Sequence, residues 1–113
     1  MPRDLAWRIA EYVSSIDYKD LSGEAVEEAK KRILDSIAVS LGALDAFPYR
    51  AARRLASRVA PRSRGSSVWW EGIASSPEMA TFANGVGVRY LDFNDTYLSK
   101  EAMHPSDMIP AVA

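Results

Sequence analysis

Residues 22–44 of the chain read SGEAVEEAKKRILDSIAVSLGAL, and this stretch decides the fold class. Its apolar positions recur at spacings of three and four, which is the period of an α-helix with one apolar face. Ser22 can cap the first turn, and the glutamates that follow it complement the helix dipole. The apolar face widens from Ile33 onward, so we expect the second half of this helix to be deeply buried. Gly42 and Asp45 mark its end.

Similar patterns on both sides of this helix predict three more helices. The four predicted helices cover about residues 4–16, 23–44, 48–60 and 77–89. Asp4 and Ser76 precede two of them as caps, and Pro48 suits the first turn of another. We therefore predict an all-α fold, which leaves room for one short extended segment near residues 67–70. An aperiodic polar loop follows the last of these helices, over residues 91–106.

Composition and charge limit the class of protein. The 113 residues are 48% hydrophobic and carry a formal net charge of −1, which fits one small globular domain and no nucleic-acid surface. The chain contains no cysteine, which excludes disulfides and zinc–thiolate sites. No apolar run is long enough for a membrane helix, and the N-terminus lacks a signal-peptide pattern, so we expect a cytoplasmic protein without a membrane partner.

A run of arginines is the one strongly charged feature. Its members are Arg50, Arg53, Arg54, Arg58, Arg62 and Arg64. A nucleic-acid surface favours aromatic residues between the basic ones, and none is interleaved with these arginines. We interpret the run as a solvated helix face that continues into a loop, in preference to a phosphate-binding patch.

Most side chains suited to acid–base chemistry lie in the polar loop and just after it. His104 is the only histidine of the chain, and carboxylates stand near it at Asp92, Asp95 and Asp107. Imidazole is the usual general acid or base near neutral pH, and a carboxylate can orient and support it electrostatically. The alternative is that the acids are turn or cap residues and that the histidine is an ordinary hydrogen-bonded loop residue.

The same loop does not match a metal-binding template. Asp92, Asn94 and Asp95 begin like a calcium loop, but Tyr97 stands where that loop requires glycine. One histidine without any cysteine is too few ligands for a zinc site. We therefore expect no metal.

The end of the chain carries a further helix signal. Ser106 and Asp107 can cap a helix, whose N-terminus would favour a bound anion near His104. The chain ends at Ala113, when this helix has only begun, and natural domains usually end after an element. The sequence therefore favours a fragment of a longer domain.

Two motifs in this region resemble the MmgE/PrpD family. They are LDFNDT at residues 91–96 and HPSD at residues 104–107. The LDSIA segment at residues 34–38 and the helix around Asn84 share the resemblance, which extends over essentially the whole chain. The family includes 2-methylcitrate dehydratase, cis-aconitate decarboxylase and iminodisuccinate epimerase. The spacer between the two motifs resembles that of the dehydratase branch.

The resemblance implies a fold and a set of site residues. This chain would be the first part of the large helical domain of a longer, dimeric enzyme that uses no metal and no organic cofactor. Matching positions imply that His104 is the proton-transfer residue and that Asp92 orients it or a neighbour. Substrate contacts are expected from Thr96, Asp95, Lys100 and Ser106.

The implied reaction is that of a lyase. It removes water from 2-methylcitrate by proton transfer beside a carboxylate, giving 2-methyl-cis-aconitate in propionate catabolism. Decarboxylation of cis-aconitate and epimerisation of iminodisuccinate are alternatives within the family. A non-catalytic helical subunit of a split protein is an alternative of another class.

Charge accounting indicates that such a site would be incomplete here. A tricarboxylate substrate carries about three negative charges near pH 7. Within the loop region only Arg89, Lys100 and a protonated His104 could face them, and an anion site normally needs well-placed cations. We therefore expect no activity from this chain alone, and we expect a homodimer or a second chain that supplies the missing part.

Overall fold

The computed structural model describes residues 4–61 and 64–113, so Arg62 and its place in the arginine run lie outside the described residues. This part of the chain is mainly helical, and the predicted all-α class with one short extended region is confirmed. The elements are α1 (Leu5–Ser15), α2 (Gly23–Gly42), α3 (Phe47–Ala56), β1 (Ser66–Val68), β2 (Ile73–Ser75), α4 (Pro77–Tyr90) and α5 (Ile109–Val112). Among the described residues, none of the helices is both long and apolar enough to cross a bilayer.

The chain divides into two compact units, the first ending at Lys30 and the second covering Lys31–Ala113. In the first unit, Asp4 caps α1 because its carboxylate accepts a hydrogen bond from the Trp7 amide at 2.9 Å. Ser22 likewise caps α2, with its hydroxyl 3.1 Å from the Ala25 amide. Every residue of α1 is at least partly exposed, so its apolar face is open to solvent.

The second half of α2 belongs to the second unit, and the expectation that its large apolar side chains are deeply buried is wrong. Its buried residues are Ser36, Val39 and Ser40, whereas Ile33 and Leu34 are 42% and 68% exposed. Each serine hydroxyl donates to a main-chain carbonyl of the same helix, at 2.9 Å for Ser36 and 2.7 Å for Ser40. These hydrogen bonds satisfy the hydroxyls, so two small polar residues can occupy the interior.

The short extended region is a β-hairpin formed by β1 and β2, which pair antiparallel. Trp69 and Trp70 lie in the connecting turn and not in a strand. Trp70 adopts a φ of 71°, a left-handed conformation that bulky residues rarely take. The Trp69 amide donates to Asn84 Oδ1 at 2.9 Å, and this hydrogen bond joins the turn to α4.

The core of the second unit forms where α3 and the hairpin pack against α4. Its buried apolar residues are Ala52, Ala56, Val68, Ala80 and Ala83. These side chains are mostly small, so the backbones approach closely. At Gly87 the Tyr49 ring occupies the space that a Cβ would need, so only glycine fits there without a shift of the ring.

The third helix ends at Ala56 and not near residue 60, where the sequence placed its end. The Ser75 hydroxyl lies 2.7 Å from the carbonyl oxygen of Ala56 and 3.0 Å from that of Val59. After Ala56 the chain continues in tighter turns, in which the Arg58 amide donates to the Leu55 carbonyl and the Val59 amide to the Ala56 carbonyl. A side chain 19 positions later also satisfies the helix end.

The interpretation of the arginine run as a solvated helix face is wrong for Arg53, which is buried. It is 7% exposed, its Nη2 donates to the Leu44 carbonyl at 2.9 Å, and its Nε lies 3.3 Å from Glu71. Its guanidinium also lies over the Tyr49 ring, 4.6 Å from the centroid. Burial raises the pKa of Tyr49 above its ordinary value despite that neighbouring charge. One arginine of the run is thus part of the interior.

Candidate functional site

A short hairpin after α4 brings Thr96 and His104 together. Tyr97 and Met103 exchange two main-chain hydrogen bonds, of 2.8 and 3.1 Å. Antiparallel pairing then places the residues one step outside this bridge face to face. Thr96 Oγ1 lies 3.5 Å from His104 Nδ1, and residues 98–102 form an exposed tip.

The His104 ring has a nearer partner in the main chain. Its Nδ1 lies 2.6 Å from the carbonyl oxygen of Asp95. A carbonyl oxygen can only accept a hydrogen bond, so this contact assigns the proton of the neutral ring to Nδ1. Nε2 is then the nitrogen that can take or give a proton.

Asp95 is enclosed and held from two sides. Its side chain is 6% exposed, Oδ1 accepts the Ser106 amide hydrogen at 2.9 Å, and Oδ2 lies 3.2 Å from Arg32 Nη1. Burial raises the pKa of Asp95, but hydrogen bonds from Ser106 and then the Arg32 guanidinium outweigh it, so the pKa lies below its ordinary value. Asp95 is therefore an anion at neutral pH.

Ser106 is fully buried, and its hydroxyl accepts a hydrogen bond from Asn94 Nδ2 at 2.8 Å. The prediction that Ser106 or Asp107 caps a following helix is wrong. Pro105–Asp107 forms a single 3-10 turn, and α5 begins at Ile109 without a side-chain cap. Ser106 instead joins the two ends of the loop, through its hydroxyl to Asn94 and through its amide to Asp95. The substrate contact expected of it stays a prediction.

Asp92 has exposed surroundings. Its side chain is 76% exposed, and its φ of 51° is one that aspartate tolerates better than most residues. The carboxylate pairs with Arg89 of α4. The hydrogen bond from Arg89, and next its charge, hold the pKa of Asp92 below its ordinary value, with a smaller effect of His104. Among the hydrogen bonds of the described residues, none joins the Asp92 carboxylate to the His104 ring.

The remaining candidate, Lys100, lies on the exposed tip of the hairpin. The structure therefore brings Asp95, Thr96, Ser106 and His104 together, whereas Lys100 is exposed at the tip between Thr96 and His104. Among the described residues, no three histidine, aspartate or glutamate side chains are arranged to hold a metal ion.

An open depression of about 360 Å³ lies beside the loop. Its lining residues are Lys31, Arg32, Asp35, Phe93, Asp95 and Thr96. Sequence reasoning missed the two cations of α2 in this lining. Arg32 and its partner Asp95 are 63 positions apart, and a local pattern carries no signal of such a pair.

Residues 7–113 match the model of the MmgE/PrpD N-terminal domain, and the chain belongs to this family. The resemblance seen in the sequence is therefore confirmed.

Curated relatives carry the name 2-methylcitrate dehydratase. Over 107 residues the chain is 34% identical to that of Cupriavidus necator, 33% to that of Salmonella typhimurium and 32% to the mitochondrial enzyme of Yarrowia lipolytica. The alignments cover 92% of this chain and 21%, 21% and 20% of these relatives, so the chain spans about a fifth of their length. No solved structure matches the chain significantly.

Proposed function

We propose that the complete protein is a hydro-lyase of the 2-methylcitrate dehydratase type. It takes a proton from the carbon beside a carboxylate of 2-methylcitrate and expels the hydroxyl group as water, giving 2-methyl-cis-aconitate. The names of the relatives support this substrate, and the chemistry of the loop supports the reaction type. The decarboxylase and epimerase activities of the same family share the proton-transfer step and are the alternatives that the experiment below separates.

The observation that carries the proposal is the 2.6 Å contact between His104 Nδ1 and the Asp95 carbonyl oxygen. A general acid or base works when it is held within reach of the reacting proton and in one tautomer. In the proposed mechanism His104 exchanges the proton through Nε2, and Thr96 offers a hydroxyl to the substrate beside the ring. The role proposed for Asp92 is to orient His104 or a neighbour, and the neighbour with which its carboxylate pairs is Arg89.

The negative charge of the substrate determines how many cations the site needs. Arg32 and Arg89 lie near the loop, but each already faces a carboxylate, Asp95 or Asp92. A tricarboxylate therefore requires further cations. We propose that they come from the rest of the protein, from a second copy or from a second chain, and that this chain alone does not turn over substrate. Lys100 is proposed to add a cation from the hairpin tip.

The test uses the complete protein and follows formation of 2-methyl-cis-aconitate from 2-methylcitrate by absorbance. His104→Ala should lower turnover by about a hundredfold or more, as for loss of a general acid or base. Ser99→Ala, on the exposed tip, is the matched control and should leave turnover unchanged. A rate unaffected by His104→Ala would contradict the role of this histidine.

A substrate panel separates the alternatives. The proposal expects turnover of 2-methylcitrate above that of cis-aconitate and iminodisuccinate. Release of carbon dioxide from cis-aconitate as the fastest reaction would replace the proposal with a decarboxylase, and inversion of iminodisuccinate would replace it with an epimerase. Turnover of none of the three would favour a non-catalytic subunit.

A further inference from the structure

We propose that Arg32 is a positioning residue, which holds Asp95 so that the Asp95 carbonyl keeps His104 in the Nδ1–H tautomer. Its catalytic consequence rests on the proposed function. Its structural content, which nitrogen of one imidazole carries the proton, does not depend on any reaction.

The first step is the anchoring of the Asp95 side chain. Arg32 extends from α2, a helix of 20 residues, and reaches Asp95 Oδ2 at 3.2 Å. The carboxylate is 6% exposed, so water supplies little of its solvation, while the arginine side chain is 37% exposed. A buried carboxylate that loses a charged partner is left with an unfavourable charge. We therefore expect Asp95 to move or reorient when the guanidinium is removed.

The second step links the Asp95 side chain to its main chain. Oδ1 accepts from the Ser106 amide at 2.9 Å, and the main-chain oxygen of the same residue lies 2.6 Å from His104 Nδ1. With the carboxylate fixed at both oxygens, the Asp95 peptide has little freedom to rotate. The direction in which the Asp95 carbonyl points toward the ring therefore depends on the contacts of the Asp95 carboxylate with Arg32 and Ser106.

The third step is a competition for one nitrogen. The Asp95 carbonyl requires a proton on Nδ1, because it can only accept. The Thr96 hydroxyl, 3.5 Å from the same nitrogen, can donate to it and would then favour the tautomer with the proton on Nε2. At the observed distances the carbonyl prevails. A shift of Asp95 would weaken the first contact and favour the second, and the proton would move off Nδ1.

The experiment reads this proton directly. The chain holds one histidine, so the imidazole nitrogens seen by ¹H–¹⁵N NMR in the 113-residue chain belong to His104. The spectrum is taken at alkaline pH, with the ring neutral. Arg32→Met should lower the ratio of Nδ1–H to Nε2–H by about fivefold, the value of one ordinary hydrogen bond. Arg32→Lys, which keeps the charge but not the planar fork, should restore part of the ratio.

Matched variants separate positioning from a general loss of charge or fold. Lys30→Met removes a neighbouring cation of α2 that pairs with Glu27 at 2.7 Å, and should leave the ratio unchanged. Asp95→Asn keeps the side-chain size but removes the ion pair, and should lower the ratio as Arg32→Met does. It carries the test if Arg32→Met does not fold. The double variant should show no larger change than either single one.

An unchanged ratio in folded Arg32→Met or in Asp95→Asn would overturn the proposal, as would an equal change in Lys30→Met. In the complete protein, Arg32→Met should lower kcat with little change in KM. If the ratio shifts while His104→Ala leaves turnover unaffected, the proposed function fails and the positioning role stands. If the ratio does not shift while His104→Ala abolishes turnover, the positioning role fails alone.

Discussion

Asp92 and Asp95 belong to one loop and one sequence motif, but they have opposite surroundings. Asp92 is 76% exposed and pairs with Arg89, three positions before it. Asp95 is 6% exposed and pairs with Arg32, 63 positions before it. Water and salt screen an exposed pair strongly and an enclosed pair weakly. Asp92, the acid nearest the end of α4, is therefore a surface group, whereas the contacts of Asp95 join the loop to α2 and to Ser106.

The comparison also changes what the sequence suggested about the histidine. The family resemblance implies that Asp92 orients His104 or a neighbour. In the structure the main-chain carbonyl of Asp95 is hydrogen-bonded to the ring, whereas the Asp92 carboxylate pairs with Arg89. We therefore expect substitutions at Asp95 to change the geometry of the His104 ring and the stability of the loop. Most substitutions at Asp92 should change neither.

The largest difference should appear on removing each carboxylate. Asp95→Ala removes the ion pair with Arg32 and the acceptor of the Ser106 amide, and should lower the free energy of unfolding by about 2 kcal/mol, less than for a fully buried pair. Asp92→Asn removes the exposed carboxylate but keeps a residue type that tolerates the positive φ, and should leave it unchanged within error. Urea denaturation of the three chains measures both. Equal losses in the two variants would break the comparison.

A smaller loss should follow from Ser106→Ala. The change leaves Asn94 Nδ2 without its buried acceptor and should cost about 1 kcal/mol in the free energy of unfolding. Ser99→Ala, on the exposed tip, is the control and should be neutral. A neutral result for Ser106→Ala would mean that the two ends of the loop are not joined through this hydroxyl.

Acid should weaken the Asp95 contribution in a defined direction. Its folded pKa is lowered, so the unfolded chain binds the proton more readily. The contribution is therefore complete above the ordinary aspartate value of about 3.9 and is lost as pH falls below it through the lowered folded value. The difference in unfolding free energy between wild type and Asp95→Asn should shrink over that range. A difference that grows toward acid would contradict the ion pair.

The smallest effect should come from the hairpin tip. Lys100→Ala should leave the free energy of unfolding unmeasurably altered, because the residue is exposed. In the complete protein the same change should raise KM for 2-methylcitrate if Lys100 contacts substrate, with Glu101→Ala as the control. An unchanged KM would remove Lys100 from the site.

Local signals predicted much of the fold. Asp4, Ser22 and Ser76 cap helices as their positions suggested, since a cap is a contact between residues three apart. The predicted end of α3 is too late, and local signals could not show that Ser75, a distant residue, donates to the Ala56 carbonyl at the end of this helix. The hydrophobic pattern of α2 did not indicate which residues are buried. It carries no information on whether Ser36 and Ser40 can hydrogen-bond to carbonyls of their own helix and so be buried.

The candidate site divides in the same way. The sequence pointed to the loop and to its histidine, because the residue types themselves carry the chemistry. It assigned the orienting role to Asp92 and a substrate contact to Asp95, and it carried no sign that Asp95 pairs with Arg32, a partner that only folding brings near. The capping role expected of Ser106 failed for a related reason: its hydroxyl is engaged by Asn94 across the loop.

The most direct test of the account compares the His104 ring in Asp92→Asn and Asp95→Asn by ¹H–¹⁵N NMR of the 113-residue chain. We predict a wild-type ring with its proton on Nδ1, the same ring in Asp92→Asn, and a clear gain of the Nε2–H form in Asp95→Asn. A gain of that form in Asp92→Asn with no change in Asp95→Asn would contradict this prediction.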